Sequence, residues 1–335
     1  MDNIVTLQQI SNDRKQQYKE LVTSIYSNLY DDVDDTMAGH ILMCHNKGND
    51  PFGYFTISKT IFEVFAFGEC IGFTTLTLKR GGSAKTGPTI LFPEFRGKSV
   101  GPQVQMALAE IARCNGCRKI YGTCTTLNSA ATRYMIKSRY KIEAYLRSHY
   151  SNEADEIVFG KWLLPQRIGM HPNIFMEERT DKVRELSVDL TDSVSDELQE
   201  LFAKTILEVN KEFVHSLLMG TNTVLTSFHE KPRRVLAFLN QAAHINSTAI
   251  LIPKRGKSIK CNILGFFDSK ALEVLINWVN LGMKPLGFRK LSVFVPANFV
   301  RQTELLSLNG FCFEGRLSGP YRENIDMDVF SLFLR

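Results

Sequence analysis

Two stretches far apart in the chain, Lys79-Arg80-Gly81-Gly82-Ser83-Ala84-Lys85 and Lys254-Arg255-Gly256-Lys257-Ser258-Ile259-Lys260, can be laid on one another without a gap. Each is preceded and followed by a β-rich run. An echo placed this way in 335 residues restricts the fold to two copies of one α/β unit. A second correspondence supports it: Asn128 before a helix is mirrored by Asn298 before Phe299 to Leu308, and a strand follows both. The Pro- and Gly-containing segment from Pro165 to Pro172 reads as the linker, so the units are expected at 1–165 and 166–335.

The first copy opens with a short strand at 4–9, then an amphipathic helix from Asn12 to Tyr30 with Leu21, Ile25 and Leu29 at helical spacing. A second helical stretch runs from Asp34 to Cys44. Ile61 to Phe67 and Gly72 to Leu78 flank the turn signal Gly68-Glu69 and predict an antiparallel hairpin. A Gly-rich turn from Arg80 to Gly87 precedes a strand at Thr89 to Phe92. A helix over 102–114, a strand from Lys119 to Thr123, a helix from Ser129 to Lys137 and strands at Ile142 to Arg147 and Glu156 to Leu164 complete the unit. The second copy begins alike, with a strand from Val183 to Leu190 and the capping signal Thr191-Asp192. The helix behind it carries Leu198, Leu201, Phe202 and Ile206 on one face.

Composition narrows the function. Lys+Arg 40 against Asp+Glu 35 leaves a net charge of +5, too small and dispersed for the basic stripe of a nucleic-acid protein, though suited to an anionic ligand. Seven scattered cysteines make no disulfide framework. Cys114 and Cys117 form a CxxC with no two further ligands nearby, so no metal site is expected. No window reaches about 18 uninterrupted apolar residues, and Met1-Asp2-Asn3-Ile4 does not read as a leader. The expectation is a cytoplasmic protein without a membrane partner.

The most informative segment is Pro93-Glu94-Phe95-Arg96-Gly97-Lys98-Ser99-Val100-Gly101-Pro102, between a strand and a helix. Small residues here let successive N–H groups converge, with a helix N-terminus behind them, on one anion. Gly97-Lys98-Ser99 also matches the end of a Walker A loop, but that motif needs glycine where Phe92 stands. The three glycines of the dinucleotide fingerprint are missing.

Arg96-Gly97-Lys98-Ser99-Val100-Gly101 resembles the pyrophosphate loop of the GCN5-related N-acetyltransferase (GNAT) superfamily, with Ser99 in place of the first motif glycine. The surrounding order is similar too: a hairpin, a strand ending Leu91-Phe92-Pro93, then Asn128-Ser129-Ala130-Ala131 opening the next helix, then the strand Ile142 to Leu146. The resemblance implies an α/β (α+β) fold of two tandem units, each a mixed, mostly antiparallel twisted sheet flanked by helices. It also implies that Arg96, Gly97, Lys98, Ser99, Val100 and Gly101 bind the pyrophosphate of acetyl-CoA. Leu91 and Phe92 would offer backbone groups to the pantetheine and acyl oxygen, and Asn128 would touch the cofactor arm or simply cap its helix. The family's tyrosine, seven residues beyond the Asn, falls on Met135, with Tyr134 one step earlier. Tyr134 is the candidate acid. Glu94, Glu63 and His149 are candidates for the base, set against readings as solvated carboxylates and an exposed strand-end histidine.

In the second copy only Asp268-Ser269-Lys270 separates Ile263 to Phe267 from the following apolar helix, which leaves no room for the glycine turn. That copy is expected to have lost pyrophosphate binding. The implied activity is acetyl-CoA-dependent N-acyl transfer to a primary amine of a small molecule or peptide. A non-catalytic acyl-CoA-binding protein and an effector-like protein lysine acetyltransferase remain alternatives.

Overall fold

Both copies of the echoed stretch are hairpin turns in the computed structural model. Gly81 and Gly82 adopt φ of 84° and 73°, and Gly256 and Lys257 adopt 72° and 59°. This left-handed pair suits the twist of a tight hairpin, and glycine takes it without a Cβ clash. An arginine closes each turn: Arg118 Nη2 donates to Gly81 O at 2.7 Å, and Arg289 Nε to Gly256 O at 2.9 Å.

The structure describes residues 5–10, 14, 18–27, 38–39, 41–43, 55–165, 179–187, 192–226 and 232–334. They fall into two compact units, the first ending at 165 and the second starting at 179. The expected joining segment from 166 to 172, Thr191 and most of the stretch from Asp34 to Cys44 lie outside the described residues.

The first unit contains β1 (Thr6–Gln9), α1 (Lys19–Tyr26), β2 (Thr56–Ala66), β3 (Glu69–Lys79) and β4 (Ser83–Leu91). It continues with α2 (Val100–Cys114), β5 (Lys119–Thr125), α3 (Ser129–Lys137), β6 (Lys141–Leu146) and β7 (Glu156–Trp162). The strands pair in the order β1-β2-β3-β4-β5-β7-β6, and only β4 with β5 is parallel. The second unit contains β8 (Lys182–Leu186), α4 (Asp192–Thr205), α5 (Lys211–Met219), β9 (Arg234–Leu239), β10 (Ile245–Lys254) and β11 (Ser258–Gly265). It ends with α6 (Ser269–Gly282), β12 (Lys290–Pro296), α7 (Val300–Leu308), β13 (Cys312–Arg322) and β14 (Ile325–Phe333). Its order β8-β9-β10-β11-β12-β14-β13, with β11 and β12 parallel, repeats the first.

Amphipathic helices cover the sheet faces. In the first unit, Val100, Val104 and Leu108 of α2 pack with Ile71, Leu76, Ile120 and Phe159, while Tyr18 and Val22 meet Ile61, Phe73 and Ile90 on the other side. In the second, Ala271, Leu272, Leu275 and Val279 of α6 close over Leu251, Cys261, Ile263 and Val293. Burial of these aliphatic side chains is the main favourable contribution, roughly 1.5–3 kcal/mol each.

Two sequence expectations shift. β4 begins at Ser83 rather than Thr89, because Ser83 and Ala84 already pair with Lys79 and Leu78 and are buried. The Asn128 and Asn298 correspondence is one residue out of register: α7 is capped at Phe299, without a side-chain bond, whereas Asn128 caps α3.

A buried ion pair occupies the same place in each unit. Lys119 Nζ on β5 reaches Glu143 on β6 at 2.7 Å, and Lys290 Nζ on β12 reaches Glu314 on β13 at 2.8 Å. Partners stand 24 residues apart in both. In the first unit the intervening strand β7 carries Gly160, where a Cβ would lie 2.1 Å from Glu143 Oε1. In the second, Ser331 of β14 donates to Glu314 Oε2 at 2.7 Å.

Candidate active site

β4 and β5 pair only over Ser83–Lys85 with Lys119–Tyr121. Beyond Lys85, β4 stays against β3, with Gly72 on β3 lying so close that a Cβ would meet Ile90 O at 2.1 Å. The strands therefore part, and a cleft of about 830 Å³ opens between the end of β4, the N-terminus of α2 and the start of α3.

The loop at its mouth turns on two left-handed residues, Gly97 with φ 80° and Ser99 with φ 60°. It delivers α2 at Val100 with no side-chain cap and no acidic residue in the first turn. The first amides of an α-helix have no intrahelical acceptor and carry the positive end of its dipole, so this terminus is built for an anion. Arg96, Arg133 and Lys137 add positive charge to the lining.

Deeper in the cleft a hydrogen-bonded chain crosses from α2 to α3. Tyr140 Oη donates to Gln105 Oε1 at 2.7 Å, and Gln105 Nε2 donates to Tyr134 Oη at 2.7 Å and Thr86 Oγ1 at 3.1 Å. Tyr134 Oη donates to Thr89 Oγ1 at 3.3 Å. Burial pushes the Tyr134 phenol up to about 12 against the opposing pull of its bonds to Thr89 and Gln105.

Leu91, Arg96, Gly97, Ser99, Val100, Gly101, Asn128 and Tyr134 all line the cleft. Tyr134 and Met135 both line the cleft; Tyr134 brings its hydroxyl there, and Met135 is also part of the hydrophobic core. Asn128 spends its side chain on the helix, accepting from Ala131 N at 2.9 Å, and Leu91 O accepts from Arg96 Nε at 3.0 Å. Three expected residues stand elsewhere. Phe92 gives its N–H to Ile71 O at 2.9 Å and stacks its ring on Tyr18 at 6.2 Å. Lys98 lies 4.9 Å over the Phe95 ring. Glu94 is an exposed residue of the short turn Pro93–Phe95.

The other candidate bases are buried in contacts of their own. Glu63 accepts from Tyr18 Oη at 2.6 Å and Arg14 Nη1 at 3.1 Å. His149, expected to be exposed, is buried 3.3 Å from Glu156. Among the described residues that line the cleft there is no Asp, Glu or His. Sequence reading missed Gln105 and Thr89. The available signal was Gln105 itself, a polar residue on the helix face shared with Leu108, Ala109 and Ala112.

Among the described residues the second unit repeats neither the left-handed turn nor the open helix terminus, and its recess beside residues 266–268 is smaller, about 310 Å³. Its parallel pairing continues from Ser258 to Asn262, and only residues 266–268 link β11 to α6. Asp268 caps α6, accepting from Ala271 N at 2.8 Å on one oxygen and from Thr180 N at 2.8 Å on the other. A carboxylate thus sits where the first unit leaves amides open. With Lys290 laid on Lys119 and Glu314 on Glu143, the positions of Gln105, Tyr134 and Tyr140 hold Ile276, Leu305 and Phe311. Gln302, at the position of Ala131, donates to Gly265 O at 2.9 Å and closes the end of β11.

Residues 13–137 match the model of the acetyltransferase (GNAT) family. The chain is similar in structure to spermidine N-acetyltransferase from Vibrio cholerae in complex with CoA and spermine (15% identity, TM-score 0.38, covering 48% of this chain and 96% of that one). It is also similar to Ard1 from Thermoplasma volcanium (16% identity, TM-score 0.37, 48% and 99%) and to an aminoglycoside 6'-N-acetyltransferase complexed with coenzyme A (14% identity, TM-score 0.37, 48% and 99%). A comparison with curated protein sequences gives no match.

Proposed function

Since residues 13–137 match the model of the acetyltransferase (GNAT) family, we propose that the first unit transfers an acetyl group from acetyl-CoA to a primary amine, and that the second unit binds no acetyl-CoA. The observation that carries this reading is the uncapped N-terminus of α2, facing a cleft between parted parallel strands. The residues present fit the donor. The amides of Val100 and Gly101 and the Arg96 guanidinium suit the pyrophosphate, and the edge of β4 from Thr86 to Leu91, paired with β3 but not with β5, suits the pantetheine amides.

In the transfer, the neutral amine nitrogen attacks the thioester carbonyl carbon, the C–N bond forms, and the C–S bond breaks with its electron pair on sulfur. Tyr134 supplies the proton that the sulfur takes, and the phenol is refilled from water. Among the described residues no carboxylate or histidine lines the cleft, so the proton shed by nitrogen goes to solvent. Three cations among the described lining residues disfavour a polycationic acceptor. We therefore assign a small molecule or peptide amine that arrives uncharged.

Calorimetric titration with coenzyme A on wild type and Gly101→Glu tests the reading. Binding in wild type that the variant loses is the expected result. Equal binding in both would place the ligand elsewhere and overturn it. Acetylated product is then sought by mass spectrometry in an amine screen.

A further inference from the structure

Gln105 lies in the middle of α2 with 1% of its surface exposed. Its amide is held at both ends. Its Oε1 accepts from Tyr140 Oη at 2.7 Å, and both Nε2 hydrogens go to Tyr134 Oη at 2.7 Å and Thr86 Oγ1 at 3.1 Å. Tyr134 thus accepts a short bond on its oxygen, while its own proton goes to Thr89 Oγ1 at 3.3 Å, the longest contact of the set. Thr89 Oγ1 has a shorter partner of its own, Thr74 Oγ1 at 2.7 Å. The weakly held proton is the one a new acceptor in the cleft can take.

The fold does not need this chain of polar groups. In the second unit Ile276, Leu305 and Phe311 hold the equivalent positions inside the same strand order. Burying an amide costs free energy unless it is fully bonded. Its presence beside the cleft, and nowhere equivalent in the other copy, ties it to chemistry and not to packing.

We propose that Gln105 is a positioning residue for Tyr134, its N–H holding the phenol oxygen so that the phenol proton points at the sulfur that leaves. This rests on the acetyl transfer proposed above. As the C–S bond breaks, the electron pair goes to sulfur and the Tyr134 proton follows it. The negative charge left on the phenol oxygen is stabilised by the Gln105 N–H until water restores the proton. A free thiol has a pKa of about 8.5, so a phenol held near 12 by burial is a poor acid toward it. A donor on the phenol oxygen narrows that gap. Among the described residues, the other titratable and charged groups around the cleft are Tyr26, Arg96, Cys124, Arg133 and Lys137, with Tyr140 behind Gln105.

The test is a pH titration of the thiol of bound coenzyme A on the full chain, followed by thiolate absorbance against the coenzyme-free protein. Wild type is expected to strengthen the thiol as an acid by at least about tenfold, one pKa unit, relative to Tyr134→Phe. Gln105→Met, close in volume and without the amide, is expected to titrate like Tyr134→Phe while binding coenzyme A as tightly as wild type. Tyr140→Phe, which frees the amide to turn over, is expected to move the midpoint in the same direction and serves if Gln105→Met does not fold.

A Gln105→Met midpoint equal to wild type would overturn the inference. So would loss of coenzyme binding in that variant, which marks a merely structural residue, or identical midpoints in wild type and Tyr134→Phe. Failure of wild type to bind coenzyme A would overturn the proposed function and this inference with it. Binding with an unmoved midpoint removes the inference alone.

Discussion

The ring of Tyr134 occupies the space that a side chain on Gly101 would need: a Cβ there would come within 2.7 Å of its Cδ2 and Cε2 atoms. Gly101 stands in the first turn of α2, where alanine would ordinarily favour the helix by up to about 1 kcal/mol. The contact reverses that sign. Gly101→Ala is expected to lower stability by about 1–3 kcal/mol through overpacking and to reduce acetyl transfer by displacing the phenol. In a Tyr134→Ala background the same substitution is expected to be neutral or stabilising. Urea denaturation of the four proteins in this cycle measures the coupling, and additive effects would refute the contact.

The paired buried charges give a second prediction. Removing one partner leaves a charge in an apolar interior, so Glu314→Gln or Lys290→Met is expected to cost about 3–5 kcal/mol. The side chains of Lys290 and Glu314 are fully buried. Replacing both, as Lys290→Met with Glu314→Leu, is expected to recover most of the loss. Denaturant midpoints of the single and double variants decide it.

These pairs show where sequence reading stopped. The hairpin turns at Gly81 and Gly256 were legible because left-handed backbone demands particular residues at adjacent positions. The glycine-containing turn between β4 and α2 was legible for the same reason. Lys119 and Glu143 carry no local signal: their meeting depends on β7 lying between β5 and β6 and on Gly160 leaving room for the carboxylate. The cleft depends on where β4 parts from β5, a property of pairing that composition does not encode. Tyr134 was placed one residue away from the expected register, and a single step on a helix is about 100°. Only the packed structure shows that Tyr134 brings its hydroxyl to the cleft while Met135, beside it in the lining, is anchored in the core.

A third prediction concerns pH. Lys260 Nζ lies 4.2 Å from the centre of the Phe294 ring, with the Tyr321 hydroxyl at 3.4 Å. Burial pushes its ammonium down to about 8. The folded state therefore prefers the neutral amine, while the unfolded chain keeps its proton up to about 10.4. Between these values the unfolded state binds more protons, so stability rises with pH across the window. Lys260→Met is expected to remove that rise, about 2–3 kcal/mol in all. Denaturation of both proteins at pH 7.5 and 10, roughly the two ends of the window, measures the difference. A parallel slope in the variant would refute it.

Coenzyme A stoichiometry follows from the contrast between the two helix termini. α2 leaves its first amides open behind the turn at Gly97 and Ser99, whereas α6 is reached in three residues and capped by Asp268. One coenzyme A is therefore expected to bind per chain. Asp268→Ala removes the cap and the acceptor of Thr180 N, which is expected to cost about 1–2 kcal/mol. It should create no second site, because the short link supplies no left-handed turn and Gln302 still bonds Gly265 O. Calorimetric titration of wild type, Gly101→Glu and Asp268→Ala separates the cases. The expected stoichiometries are one, zero and one. Two equivalents in wild type, or one retained by Gly101→Glu and lost by Asp268→Ala, would reverse the assignment of the units.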